Sequence, residues 1–590
     1  MAERDCVYGS DLVVAMLKEM NIEYAAFNPG ASFRGLHDSL VHYGGDKKVE
    51  IIQCCHEEIS VALAHGYAKA TGKPMAAILH DVVGLQHASM AIFNAWCDRV
   101  PILLLGGTGP MDTTHRRPTI EWVHTALVQG NQVRDYVKWD DQPYSAAAVP
   151  TSLLRGYRIA VTPPQGPVYV CLDVDIQEDR VEESVTLPKL DAYALPTSPA
   201  PESGTLDRIA RELCDAEFPV VVSDYVGRDS EAVDSLRVLA EMLSMPVLDA
   251  GKWHRSVIFP NTHPLDLSGA EEEMFAKADV ILGIEVEDLY GTLQNLSNAS
   301  KGQGAFRPSG SRVFHIGLKD LQSNRWVATE QELQPTHASL TADPGIALHE
   351  LVTLCKGLLT ESTVDEAREA RGRELAEIHS NMRASWHKEA LEGAKAQPIA
   401  VPWLAEEIWQ EIKETDWIIA NGTLTGWARK LWDWDRTDRF IGVSGGAGLG
   451  YGIGASLGVA LAYKDTGKVC VDLQDDGDFL FAPSALWTAA HYQLPLLVII
   501  NNNGTYYNAD RHQWRVGKAR GRDTGKVNVG TSLDSPRVDY AMLARSFGIY
   551  AEGPITEPEN LREGLRRAVD VVEKKGCPAV VDVVTAPLGR

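Results

Sequence analysis

Apolar runs of four to six residues recur along most of the chain, and between them apolar positions return every three or four residues. The first pattern predicts buried strands, the second amphipathic helices. Through residues 1–190 the patterns predict helices over 10–20, 57–70 and 89–96, and strands over 23–27, 75–79, 101–106 and 168–173. The alternation resumes over 205–355, with helices near 206–216 and over 230–243, and strands over 219–223, 246–248, 280–283 and 312–316. From 398 to 590, strands are expected over 417–420, 468–473, 495–501 and 579–584. Strands alternating with helices build parallel sheets covered on both faces. The fold class is therefore α/β, with three consecutive doubly wound parallel-sheet domains. The Pro-, Ala- and Ser-rich stretch 190–204 reads as a linker. The charged stretch 361–395 lacks a strong apolar stripe and reads as a solvated connecting helix.

Length and composition agree with this division. A chain of 590 residues is too long for one core. Its 45% hydrophobic and 23% charged residues suit a globular enzyme. A formal net charge of −24 argues against a nucleic-acid or membrane partner, which would call for a basic face. The nine cysteines are scattered, with no C-x-x-C pair, which fits a reduced, cytoplasmic compartment. The N-terminal MAERDCVYGSDLVV has no basic region followed by an apolar one, so no signal peptide is expected. No run approaches the roughly 18 apolar residues of a membrane span.

The richest stretch chemically is 475–505, an acidic, glycine-containing turn followed by an apolar strand and three asparagines. In open parallel sheets, ligands lie beyond the carboxyl ends of the strands. Asp476 follows the predicted strand 468–473 and Asn503 follows 495–501, so both belong to that edge. Taken singly, each segment is an ordinary strand-ending turn. Together they offer a hard cation the Asp476 carboxylate, the Asn503 amide oxygen and the Thr505 backbone carbonyl. Mg²⁺ takes about six oxygens, and a diphosphate and water would complete the set.

This segment resembles the cofactor motif of the thiamine diphosphate enzymes, G-D-G followed after about two dozen residues by N or N-N. Three more motifs follow the same family order. Phe27-Asn28-Pro29-Gly30 resembles its N-P-G loop. His56-Glu57, followed by Gly66-Tyr67-Ala68-Lys69-Ala70-Thr71-Gly72, resembles its H-E…G-Y-A-R-x-T-G helix. Gly445 to Gly452 resembles its glycine-rich stretch. The motif order is similar to that of the acetolactate synthase and benzoylformate decarboxylase branch. The resemblance implies a pyrimidine-binding domain at 1–190, a central domain at 205–355, a helical linker at 361–395 and a diphosphate- and Mg-binding domain at 398–590. Two positions depart from the pattern. Asp475 replaces the usual Gly, where it would strain a turn that glycine accepts freely. Asp478 replaces the usual Ser or Ala, adding negative charge near a diphosphate.

The resemblance also implies roles. The matching Glu, here Glu57, bonds the cofactor's pyrimidine ring, and burial would raise its proton affinity. Leu449 is the candidate to prop the cofactor in its bent form. Gly422, Thr423, Gly477, Asp478 and Asn503 are the further cofactor contacts. Active sites are expected at the interface of a homodimer or homotetramer. His80 occupies a place similar to the proton-transfer histidine of benzoylformate decarboxylase, with His87 a weaker candidate. The paired histidines of pyruvate decarboxylases are not visible.

Two reactions on a 2-oxo acid or related ketone fit the resemblance: decarboxylation or C–C cleavage, and acetolactate synthase-like carboligation. FAD, which the synthases often carry, stays open but unsupported, since Ser223-Asp224-Tyr225-Val226-Gly227 lacks the glycine cluster usual there. Gly251-Lys252-Trp253 and Thr262-His263-Pro264 resemble segments common to both groups. The alternative is a non-catalytic regulatory or structural subunit of the same fold.

Overall fold

The structure is a computed structural model that describes residues 6–43, 49–181, 185–250, 256–294, 306–323, 326, 332–359 and 366–587. Gly251-Lys252-Trp253 and the first residues of the predicted connecting helix lie outside the described residues.

Three parallel sheets form in chain order. The first contains β1 (Tyr24–Phe27), β2 (Glu50–Gln53), β3 (Met75–Leu79), β4 (Ile102–Thr108), β5 (Trp139–Asp141) and β6 (Val168–Asp173), in the order β2-β1-β3-β4-β6-β5. The second contains β7 (Pro219–Ser223), β8 (Val247–Asp249), β9 (Val280–Ile284), β10 (Arg312–Gly317) and β11 (Ala338–Thr341), in the order β11-β10-β9-β7-β8. The third contains β12 (Trp417–Asn421), β13 (Val469–Asp475), β14 (Leu496–Asn502), β15 (Tyr550–Ile555) and β16 (Ala579–Val584), in the order β12-β13-β14-β16-β15. The central strands are mostly apolar because helices bury both of their faces, and the polar residues they carry, such as Asp472, Gln474 and Asp582, are buried too. The strands that the pattern did not predict, β2, β5, β11 and β15, all lie at sheet edges. One side of each is partly exposed, so the apolar run is diluted.

Two expectations change. The predicted helix 89–96 is the second half of a helix over Asp81–Cys97, whose first half is broken in pattern by Gly84, Gln86 and His87. The connecting helix, Glu366–Glu392, does more than bridge solvent. Arg371 donates to the carbonyls of Leu243 and Ser244, at the end of the helix Ser230–Leu243. His379 bonds the Asn261 carbonyl at 3.0 Å. The helix docks through these polar bonds and through a narrow apolar row, Leu375 buried in the second-sheet core with Ile378 and Met382 packed against it.

The first and third sheets meet through two helices, Glu57–Thr71 and Tyr451–Ala462. Glycine allows the close approach. A Cβ on Gly66 would sit 2.0 Å from the Ala455 carbonyl oxygen, and one on Gly458 would sit 1.9 Å from that of Leu63. Lys69 is buried at this junction, bonding Asp98 at 3.2 Å and the Val443 carbonyl at 3.0 Å. No helix among the described residues is long and apolar enough to cross a membrane.

Candidate functional site

The carboxyl edge of the third sheet carries the expected cation donors. β13 runs to Asp475, two residues beyond the predicted end, and Asp476–Phe479 form a helical turn instead of a loop. The Asp476 carboxylate is buried and accepts the backbone N–H of Gly477 at 2.9 Å and that of Gly504 at 2.8 Å. The second bond ties the end of β13 to the loop after β14, the pairing that the spacing implied. Asn503 Oδ1 accepts the Thr505 N–H at 3.0 Å, and the Thr505 carbonyl accepts the Tyr507 N–H at 2.9 Å. Burial pushes Asp476 up to about 7, against the pull of the two N–H groups. A carboxylate desolvated this far gains from a cation, and the donors beside it are all oxygens. The set fits Mg²⁺.

Gly422 follows β12 with φ +77°, and a Cβ there would strike the Leu473 carbonyl oxygen at 1.9 Å. Thr423 Oγ1 accepts the Gly426 N–H at 3.1 Å. A Cβ on Gly477 would sit 2.6 Å from the Tyr506 ring. These small residues bring backbone, not side chain, to the edge.

Asp475 and Asp478 now have physical accounts. Asp475 has φ −79° and ψ 142°, so the expected strain is absent. Its carboxylate accepts the Asn501 amide at 3.0 Å, from the residue it faces in register across β13 and β14. Asp478 accepts the Gly450 N–H at 2.7 Å and the Gln474 side chain. Burial raises both carboxyls, Asp478 to about 6, which moderates their charge. Leu449, one residue before Gly450, is 43% exposed in the single chain.

The carboxyl edge of the first sheet gathers the other candidates. Glu57 opens its helix and is 4% exposed. Its Oε1 accepts the Asn28 amide at 3.0 Å, and its Oε2 lies 3.3 Å from His87 Nδ1. Burial alone would raise Glu57, as the sequence suggests, but the Asn28 amide, a backbone N–H and His87 outweigh it. The carboxyl is held below its ordinary value. Asn28 comes from the N-P-G loop, which gives that motif a physical purpose. His56 caps the same helix, accepting the Glu58 N–H at 3.1 Å, and its ring stacks on His87.

His80 ends β3. Its Nδ1 lies 3.0 Å from Ser32 Oγ, and a Cβ on Gly30 would strike its ring. A Cβ on Gly84 would sit 3.1 Å from Glu57 Cγ and 3.3 Å from His80 Cβ, so one helical turn separates the two side chains. Sequence reasoning missed Ser32, Asp81 and His124 at this edge. His124 carries no motif, and only the fold brings it to His80.

Among the described residues, the second sheet offers no comparable opening. Its strand order reverses between β7 and β9, where a dinucleotide would lie. Arg99, from just beyond the first-domain helix, fills that crevice. It donates to Glu285 at 2.5 Å and Glu287 at 2.7 Å, and lies 4.5 Å from the centre of the Tyr225 ring. The helix after β7 has its N-terminal N–H groups capped by Asp229, where a diphosphate would otherwise bind. A Cβ on Gly227 would meet the Val257 carbonyl oxygen at 2.1 Å, so this glycine serves packing. These described residues give FAD no support.

Comparisons with known proteins follow this geometry. Residues 7–132 match the thiamine pyrophosphate enzyme, N-terminal TPP binding domain. Residues 420–583 match the corresponding C-terminal TPP binding domain. The acetolactate synthase large subunit of Haemophilus influenzae is 25% identical over 96% of this chain and 93% of its own. The benzoylformate decarboxylase of Pseudomonas aeruginosa is 25% identical over 87% of this chain and 88% of its own. A thiamine diphosphate-dependent 4-hydroxybenzoylformate decarboxylase from Rhodococcus jostii RHA1 shares the fold, with a TM-score of 0.77, 19% identity and 99% coverage of both chains.

Proposed function

Because the chain belongs to the thiamine pyrophosphate enzymes, we propose that its two sheet edges form the two halves of a thiamine diphosphate site, with Glu57 at one and Asp476 at the other. The enzyme acts on a 2-oxo acid or related ketone and breaks or makes the C–C bond next to the carbonyl. Bound thiamine diphosphate supplies the carbanion-stabilising chemistry. Asp476, Asn503 and the Thr505 carbonyl hold Mg²⁺. Gly422, Thr423, Gly477 and Asp478 face the diphosphate, and Leu449 supports the bent cofactor. Glu57, whose carboxyl Asn28 and His87 hold low, would accept a hydrogen bond from the pyrimidine ring, and His80 would serve the substrate.

The observation that carries this reading is the pair of buried carboxylates. Glu57 is oriented by Asn28, and Asp476 is locked to the loop after β14 by Gly504. A non-catalytic subunit would have no need of an oriented Glu57, so the catalytic reading takes precedence.

We place the completed site between two copies of the chain, in a homodimer or homotetramer. Leu449 is exposed on the glycine-rich turn, and Trp122 and Leu127 are 56% and 83% exposed. Such apolar surface favours a partner. Light scattering on the eluting protein tests this, and a stable monomer that turns over substrate would overturn it. We assign the protein to the cytoplasm.

The experiment for function is incubation with a panel of 2-oxo acids, with and without aldehyde acceptors. Free aldehyde and CO₂ identify a decarboxylase; 2-hydroxy ketones or acetolactate identify a carboligase. Failure to bind thiamine diphosphate with Mg²⁺, read by tryptophan fluorescence, would sink both.

A further inference from the structure

The first-sheet edge holds a second buried carboxylate that no role above uses. Asp81 starts the helix Asp81–Cys97 with φ +37°, a region that residues other than glycine rarely adopt. Its side chain is fully buried, no hydrogen bond of ordinary geometry reaches either carboxylate oxygen among the described residues, and the adjacent Ser32 hydroxyl is the one neutral group that favours its charge. Two imidazoles flank it. His80 Nδ1 lies 3.6 Å from Asp81 Oδ1, and His124 Nδ1 lies 3.8 Å from Asp81 Oδ2. The two rings meet edge to face, with centroids 5.6 Å apart. His124 Nδ1 is itself buried and makes no hydrogen bond.

A buried carboxylate without a hydrogen bond is costly unless a neighbouring charge or a proton offsets it. The other titratable groups facing Asp81 do not supply one. Glu121 is acidic and has Arg117 as its own partner at 3.6 Å. The Tyr169 hydroxyl and Cys171 thiol, on β6 behind Asp81, are pushed up by burial and stay neutral. Only the two imidazoles remain, and each would form a short charge-assisted bond to Asp81 on gaining a proton.

We propose that Asp81, His80 and His124 hold one shared proton, with His80 exchanging it with the substrate and Asp81 and His124 acting as positioning residues that hold and restore it. The proposal rests on the carbon–carbon lyase or ligase reading: in a lyase the C–C bond broken beside the carbonyl is replaced by a C–H bond, and in a ligase the electron pair forms a new C–C bond and the proton goes to the acceptor's oxygen. Ser32 and Gly30 occupy the Nδ1 side of His80, which leaves Nε2 as the exchanging nitrogen. When the C–C bond breaks, its electron pair stays on the substrate carbon and takes the Nε2 proton of the His80 imidazolium. His80 becomes neutral, keeping its Nδ1 proton on the Asp81 side, and Asp81 remains a carboxylate. His124, with 21% of its side chain exposed, takes a proton from water, holds the positive charge beside Asp81, and returns that proton to water as water recharges His80 Nε2 on product release. Nothing is oxidised or reduced. The whole unit lies one helical turn from Glu57.

The test uses the holoenzyme with thiamine diphosphate and Mg²⁺. Site-resolved diethylpyrocarbonate labelling between pH 5 and 8.5, read by peptide mass spectrometry, reports neutral imidazole at His80 and His124 separately. At a fixed pH near neutrality, Asp81→Asn raises the labelling rate of at least one of the two rings about threefold or more. Labelling rates that Asp81→Asn leaves unchanged overturn the proposal. His124→Gln, at a part-exposed position, is the second variant. On the best 2-oxo acid of the panel it lowers kcat about tenfold or more and moves a limb of the pH profile by about one unit, with KM within about threefold. A profile superimposable on the unaltered one overturns the proposal, as does a loss confined to cofactor binding. Labelling needs no substrate, so its outcome stands apart from failure of the functional reading, which shows as absent thiamine diphosphate binding.

Discussion

The Asp478 carboxylate accepts the backbone N–H of Gly450 at 2.7 Å, joining the turn after β13 to the glycine-rich turn that opens the helix Tyr451–Ala462. Gly450 sits at φ +87° beside Glu58, which burial and then the nearby Asp478 push up to about 7. Asp478→Ala leaves this N–H without its acceptor and is expected to cost about 1–3 kcal/mol in urea unfolding. Asp478→Asn keeps an acceptor oxygen and is expected to stay within about 1 kcal/mol of the parent. Equal losses in the two variants would show that charge, not the bond to Gly450, matters at this position.

Glu57→Gln is expected to lower turnover about 10²–10⁴-fold, with folding intact. Proton exchange at the cofactor's thiazolium C2, followed by NMR, should slow in parallel. Near-normal exchange in this variant would remove Glu57 from the activating role.

The Mg²⁺ site should be pH-sensitive through Asp476. Its carboxyl is raised in the folded chain to about 7, against about 3.9 when unfolded. The protonated form therefore favours folding of the metal-free protein. That contribution is full below about pH 4 and is lost as pH rises through about 7. Mg²⁺ binds the ionised form, so its affinity should rise with pH up to about 7 and then level off. Asp476→Asn should abolish the Mg²⁺-dependent rise in Tm and flatten the stability slope of the metal-free protein. A Mg²⁺ affinity independent of pH between 5 and 8 would contradict this.

Gly66→Ala places a methyl group 2.0 Å from the Ala455 carbonyl oxygen, in a contact with no flexible side chain to yield. Overpacking of this kind costs about 1–3 kcal/mol. Because the contact joins the first and third sheets, cofactor affinity should fall along with Tm. Gly357→Ala, whose Cβ would meet nothing within 4 Å, serves as the control and should leave both unchanged.

How much was legible in the sequence follows from burial. Helix-covered strands such as β4 and β14 read plainly as unbroken apolar runs, whereas β2 and β15 at the edges did not. Asp476 and Asn503 could be paired because each follows such a run, and that position alone puts both at one sheet edge. Glu57 was identified through its resemblance, but its environment was misjudged. Burial was expected to govern its proton affinity, and Asn28, 29 residues away, a backbone N–H and His87 together reverse the sign.

The sequence by itself determined the three-sheet architecture and which residues follow the strands at each carboxyl edge, because alternation and strand ends are local properties of the chain. Tertiary structure alone decided what those residues meet. Asp478 reaches Gly450, Arg99 fills the crevice of the second sheet, and His124 comes to rest against Asp81. Each of these depends on crossovers that bring distant segments together, and short-range polarity along a chain holds no record of which strand becomes the neighbour of which.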